Sequence, residues 1–134
     1  LHFGFPYEYG DGEADPEFGP TTMDTVKPEV SLGAHVAPLG LKFYLGSMFP
    51  SQYQGDILIA EHGSWNRTPA AGHVGYRVPR VNPETGAYSV FIDGWLQDNV
   101  GWGRPADLLE MKDGSLLIAD DTGNAIYRVT YTQP

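Results

Sequence analysis

The spacing of apolar positions changes character about a quarter of the way along the chain. Residues 1 to about 31 hold scattered aromatics among Gly, Pro, Asp and Glu (GDGEADPEFGP) with no sustained period of 2 or 3.6, so this stretch reads as an irregular connection laid over other structure. From Leu39 short runs rich in β-branched and aromatic residues take over: LGLKFYLG, DILIAEHG, GYRVPRV and AYSVFIDG, each bounded by Gly, Pro, Asn or Asp. Runs of that length and make-up fit pleated, half-buried strands, and the bounding residues supply the turns. After Gly101 the series restarts with PADLLEMK, GSLLIADD and NAIYRVTY, which predicts three more strands.

The restart is an internal repeat. Ile57-Leu58-Ile59-Ala60-Glu61 matches Leu116-Leu117-Ile118-Ala119-Asp120 at a spacing of 59 residues (57 to 116), and Tyr76-Arg77-Val78 matches Tyr127-Arg128-Val129 at 51 (76 to 127). The first copy therefore carries about eight extra residues, in HGSWNRTPAAGHVG, between its second and third strands. Four-strand units recurring at roughly 40 to 50 residues are the mark of β-propeller blades. The expected fold class is all-β, a β-propeller of which this chain forms about two blades. Residues 1–31 would connect from a preceding blade. Residues 32–100 would form a four-stranded blade with an insertion at 62–75, and 101–134 a final blade lacking its fourth strand. A strand from elsewhere would complete that blade and cover its edge. Two blades bury too little by themselves, so further blades or self-association are expected partners. A seven-stranded sandwich would explain the strands but not the echoes.

Composition narrows the function. The 17 glycines and 11 prolines agree with many turns, and a net charge of −9 without any Lys/Arg run argues against nucleic acid and anionic membrane surfaces as partners. No stretch approaches the roughly 20 consecutive apolar residues of a membrane-spanning helix. The chain has no cysteine, so it holds no disulfide or thiolate metal site. It starts without Met in what reads as a loop, which suggests a processed or truncated piece with any signal peptide upstream. Asn66-Arg67-Thr68 matches a glycosylation sequon, a tripeptide common by chance.

The segments HVAPLG, EHGSWNR and WGRPADLL, within a similarity running from Phe3 to Tyr131, resemble the C-terminal blades of the pyrroloquinoline quinone (PQQ)-dependent glucose/sorbosone dehydrogenase family, more closely its sorbosone and pyranose dehydrogenase branch. The resemblance implies a six-bladed propeller, periplasmic or secreted, that binds PQQ with calcium at the channel mouth and passes hydride from a sugar to the quinone and then electrons to an acceptor. It places a quinone-contacting arginine at Arg104 and a cofactor-contacting residue at His35. Where relatives often carry a second arginine this chain has Ala106. In the insertion, Trp65, Asn66 and Arg67 offer an aromatic face, an amide and a cation; Arg67 either holds quinone oxygens or belongs to a loop packing on a neighbouring blade through Trp65. These candidates suit a planar tricarboxylate, which needs fork-shaped cations and a flat surface. The bland alternative for Arg104 is a surface pair with Asp107.

The resemblance also implies that the family's catalytic histidine and calcium ligands lie in earlier blades, so this chain alone would be silent. His62 and His73 are not read as a metal site, and Glu61, Asp120 and Asp121 are read as strand-end acids that bind backbone N–H groups in turns. Two other functions stay open: a self-assembling blade module closing six blades as a trimer, and a metal-dependent propeller lactonase or hydrolase, which would need convergent carboxylates or amides.

Overall fold

The computed structural model describes residues 1–132, with the backbone alone at Pro69. The chain divides into two compact units, Leu1–Gly33 and Ala34–Pro134. In the first, β1 (Glu8–Tyr9) and β2 (Glu13–Ala14) form a short hairpin. Glu8 accepts from Thr25 Oγ1 at 2.6 Å and pairs with Lys27 at 2.9 Å, which ties the end of the unit to its hairpin. The irregular reading of this stretch thus missed a hairpin too short to show a period.

All seven strands expected from Leu39 onward form in the second unit: β3 (Pro38–Phe43), β4 (Ile57–Glu61), β5 (Val78–Val81), β6 (Tyr88–Ile92), and, after the small hairpin of β7 (Leu96–Gln97) and β8 (Val100–Gly101), β9 (Pro105–Glu110), β10 (Leu116–Asp120) and β11 (Ala125–Val129). They make an antiparallel four-stranded sheet in the order β3-β4-β5-β6 and a three-stranded one in the order β9-β10-β11. Both are blade-like meanders, and the fold is all-β as expected. The β7–β8 turn was not foreseen; Asp98 and Asn99 both adopt positive φ (49° and 63°), the conformation that a two-residue hairpin turn demands and that Asp and Asn tolerate.

The register corrects the repeat. Ile57 pairs with Val81 and Leu116 with Val129, so Arg80-Val81, not Arg77-Val78, is the structural counterpart of Arg128-Val129. The side chains agree: Arg80 reaches Asp56 at 3.3 Å, and Arg128 bonds Ser115 at 3.1 Å and pairs with Asp113, each arginine reaching back to the turn before the preceding strand. The insertion is correspondingly three residues longer than the echo of letters suggests.

Leu58, Ala60 and Val78 of the first sheet meet Leu108, Leu116 and Ile118 of the second in one core, with Tyr44, Phe49, Tyr76 and Trp95 around it. The sheets approach closely because β3 carries Gly40 where a Cβ would collide with the backbone of Asp107 on β9. At one end of this seam the buried Tyr44 hydroxyl donates to Gly114 O (2.9 Å) and accepts from the N–H groups of Met48 and Phe49. Leu39, Leu41 and Phe43 alternate with Gly40 and point away from the second sheet, and each is 47% to 58% exposed. On the far side of the second sheet Leu109 and Ile126 are 55% and 71% exposed.

Glu61 departs from the expectation that it binds turn N–H groups. It is fully buried on the first sheet, where it accepts from Arg77 Nε at 2.8 Å and from the Tyr88 hydroxyl at 2.9 Å, joining β4, the approach to β5 and β6. Burial, followed by the hydrogen bond to Glu61 and its charge, pushes the Tyr88 hydroxyl up to about 12. The folded state therefore holds this proton more tightly than the unfolded chain, whose tyrosines titrate near 10. The corresponding stability is fully present below pH ~10 and is lost between there and about 12. Thermal midpoints of the chain should fall across that window, and more gently in a Tyr88→Phe variant; identical slopes would show that Tyr88 is not the titrating group.

Candidate functional site

At the other end of the seam the geometry converges on Tyr76 and Arg104. Tyr76 is 3% exposed and sits at φ 59°, a left-handed conformation that is a genuine outlier for a bulky side chain. Its ring lies between Gly63 and Gly101, at either of which a Cβ would overlap ring carbons. Two glycines are thus required by a close approach, and backbone strain gathers at a site that surrounding packing fixes. The Tyr76 hydroxyl donates to Ser64 O at 2.5 Å.

Arg104 lies over the Tyr76 ring, its guanidinium carbon 4.7 Å from the centroid, and both terminal nitrogens are committed. Nη2 donates to Ser64 O (3.0 Å) and to the Tyr76 oxygen (2.5 Å), while Nη1 donates to Gly63 O (3.2 Å) and to His62 Nδ1 (3.3 Å). Its own backbone N–H is held at 2.8 Å by buried Asp120, which also accepts from Gly123 N–H and the Tyr127 hydroxyl. Asp120 therefore acts as a turn-binding acid, as expected. Asp107 does not pair with Arg104; its Oδ1 accepts from Leu108 N–H. Among the described residues no carboxylate pairs with the Arg104 guanidinium, whose acceptors are all neutral.

His62 completes this group, and spacing alone had passed it over. Its Nε2 stands 2.9 and 3.1 Å from the two carboxylate oxygens of Asp121. Arginine only donates and carboxylate only accepts, so the imidazole is neutral with its proton on Nε2. The hydrogen bond from His62, joined by burial working in the opposite direction, leaves the Asp121 carboxyl below its ordinary value. Asp121 thus binds a side chain across the seam in addition to its contacts with the neighbouring Thr122. Its signal in the sequence was only its place next to Asp120 at a strand end.

The remaining candidates lie around this centre. His35, exposed and also at positive φ (66°), begins the extension of β3 in which Val36 O and Ala37 O accept from Gly63 and His62 N–H, so it stands at the same strand end. Trp65 and Asn66 follow Ser64 and are exposed, Trp65 by 80%. Arg67 turns back on its own loop, donating to Gly72 O (2.5 Å) and Ala71 O (2.7 Å), and so fixes the loop. His73 Nδ1 meets the buried Ser64 hydroxyl at 3.0 Å. Among the described residues no three His, Asp or Glu side chains gather as a metal site.

Residues 20–90 match the family model described as TrAA12-like. The chain belongs to that family. It is 41% identical, over 97% of its length, to an uncharacterized protein of Borreliella burgdorferi, and covers 36% of that protein. It is 38% identical, over 78% of its length, to a pyrroloquinoline quinone-dependent pyranose dehydrogenase of Coprinopsis cinerea, covering 16% of it. Its fold is that of two Trichoderma reesei structures of carbohydrate-active enzyme family AA12, an iodide and a calcium structure: both have a TM-score of 0.66, at 23% and 24% identity over 92% and 93% of this chain. The chain spans about a third of those structures and of the first relative.

A Gly101→Ala substitution tests the packing of the Tyr76 ring without altering any charge or demanding a new backbone conformation. The added methyl must displace the ring, and overpacking of this kind costs about 1 to 3 kcal/mol. Urea denaturation followed by tryptophan fluorescence should show a lower midpoint; an unchanged midpoint would mean the ring has room to move.

Proposed function

We propose that this chain is the part of an exported, PQQ-dependent sugar dehydrogenase of the sorbosone and pyranose type that presents Arg104 to the cofactor. The observation that carries the reading is the guanidinium held in fixed orientation by neutral carbonyls, a phenol and an imidazole, with no carboxylate among the described residues paired to it. A half-buried cation so arranged favours an anionic ligand, and among the described residues its Nε–H is the donor not already committed to the seam. The likeness to a pyranose dehydrogenase that depends on PQQ supplies the anion's identity.

The residues fit such a group in charge and in kind. Arg104 would bind a carboxylate or ring oxygen, His35 stands at the same strand end, and Trp65 with Asn66 extends from the segment whose carbonyls hold Arg104. Bound PQQ would supply the hydride-accepting chemistry, with calcium in the complete enzyme. This chain's part is to orient the anion with a preorganised cation, an effect strongest where water is excluded. Arg67 serves by clamping the loop that bears Trp65 and Asn66. The apolar faces at Leu41 and Ile126 suit neighbouring blades of a six-bladed ring, which would contribute the sugar site, the general base and the route to an electron acceptor.

The test is to follow quinone absorbance in the protein peak, with calcium present, while light scattering reads the mass. The chain, alone or assembled, should carry PQQ, and Arg104→Lys should lower its affinity by tenfold or more because the planar fork is lost. Uptake indifferent to Arg104→Lys, or no uptake in any assembled form, would remove the reading.

A further inference from the structure

The acid that ends β10 reaches beyond its own sheet. Asp121 is 59% exposed at its side chain, so it has no packing role, yet both of its oxygens lie within hydrogen-bonding distance of one ring nitrogen of His62 on the other sheet. The opposite ring nitrogen receives Arg104. An imidazole between a donor that cannot accept and an acceptor that cannot donate has one satisfactory arrangement, and the carboxylate end of the line selects it.

We propose that Asp121 is a positioning residue for Arg104, acting through His62 across the seam between the two sheets. The inference rests on the reading of Arg104 as the cofactor-facing cation. With Asp121 ionised, the Nε2–H of His62 is held toward the carboxylate and the Nδ1 lone pair toward Nη1. The guanidinium is then fixed at its Nη1 side by His62 and Gly63 O and at its Nη2 side by Ser64 O and Tyr76. Without Asp121 the ring is free to rotate or to move its proton to Nδ1, and a proton there faces the guanidinium donor and repels it. Arg104 then loses one of four anchors. The logic parallels the carboxylates that fix the tautomer of metal-binding histidines, where removing the outer partner weakens binding without touching a ligand.

The test uses the whole chain carrying Asp121→Ala, His62→Asn, or both. In His62→Asn the amide oxygen can stand near the former Nδ1 and still accept from Arg104, but the side chain no longer reaches Asp121. In 15N-labelled protein, His62 should show a protonated Nε2 and a bare Nδ1. Asp121→Ala should draw the two shifts together and broaden the Arg104 Nε–H resonance, while the melting midpoint stays close to that of the parent. PQQ affinity should fall on the order of tenfold in Asp121→Ala, the low end of what losing such an outer partner costs. Adding Asp121→Ala to His62→Asn should cost nothing further. An unchanged His62 tautomer in Asp121→Ala, or an equal Asp121→Ala penalty in the His62→Asn background, overturns the proposal. A chain that takes up no quinone defeats the cofactor reading, while the tautomer and Arg104 resonances still decide the role of Asp121.

Discussion

Much of the second unit depends on a tyrosine ring held where tyrosine rarely goes. Tyr76 adopts a left-handed backbone conformation, and its ring is admitted only because Gly63 and Gly101 present no Cβ to it. The reward for that strain is a flat face under the Arg104 guanidinium and a hydroxyl that fixes Ser64 O. A cation over an aromatic face gains more when desolvated, and here the ring is almost fully buried. Insertion, small hairpin and second sheet all meet at this ring, since Gly63 lies at the start of the insertion, Gly101 lies on β8 and Arg104 leads into β9.

The seam between the sheets is accordingly fixed at both ends by hydrogen bonds and in the middle by apolar contact. Tyr44 to Gly114 closes one end, the Arg104 group closes the other, and Gly40 against Asp107 lets the inner strands touch between them. Buried polar groups of this kind stabilise only when satisfied, and the Tyr44 hydroxyl makes one donation and receives two. Among the described residues Trp95 is the exception, its buried Nε1 being without an acceptor. The satisfied hydrogen bonds at the two ends of the seam are what hold the spacing between the two sheets.

The strands were legible in the sequence because alternation and turn residues act locally: seven runs, seven strands. The register of the third strand was not. Tyr76-Arg77-Val78 repeats the letters of Tyr127-Arg128-Val129, but pairing is set by the partner strand, and the partner put Arg80 there instead. The site was half legible. Arg104 could be named from the company it keeps in WGRP, whereas its capture by Gly63, Ser64 and Tyr76 depends on contacts between residues 28 to 41 apart in the chain. Arg67 looked like a second ligand because it is a cation in a loop, yet its loop has carbonyls of its own to satisfy. His62 and Asp121 were discounted singly, and their meaning lies only in being 2.9 Å apart.

The distribution of charge around Arg104 gives the arrangement its sense. Two carboxylates are nearby, and neither touches the guanidinium: Asp120 takes the arginine's backbone N–H, and Asp121 is kept one imidazole away. Direct ion pairing would have held the side chain as firmly, but it would have cancelled the charge that the proposed anionic ligand would meet. Neutral acceptors fix the geometry and leave the charge available. On the proposed role of Asp121, the carboxylate at the end of the line contributes through the tautomer it selects at His62, so the cation would be oriented from the other sheet without a direct ion pair.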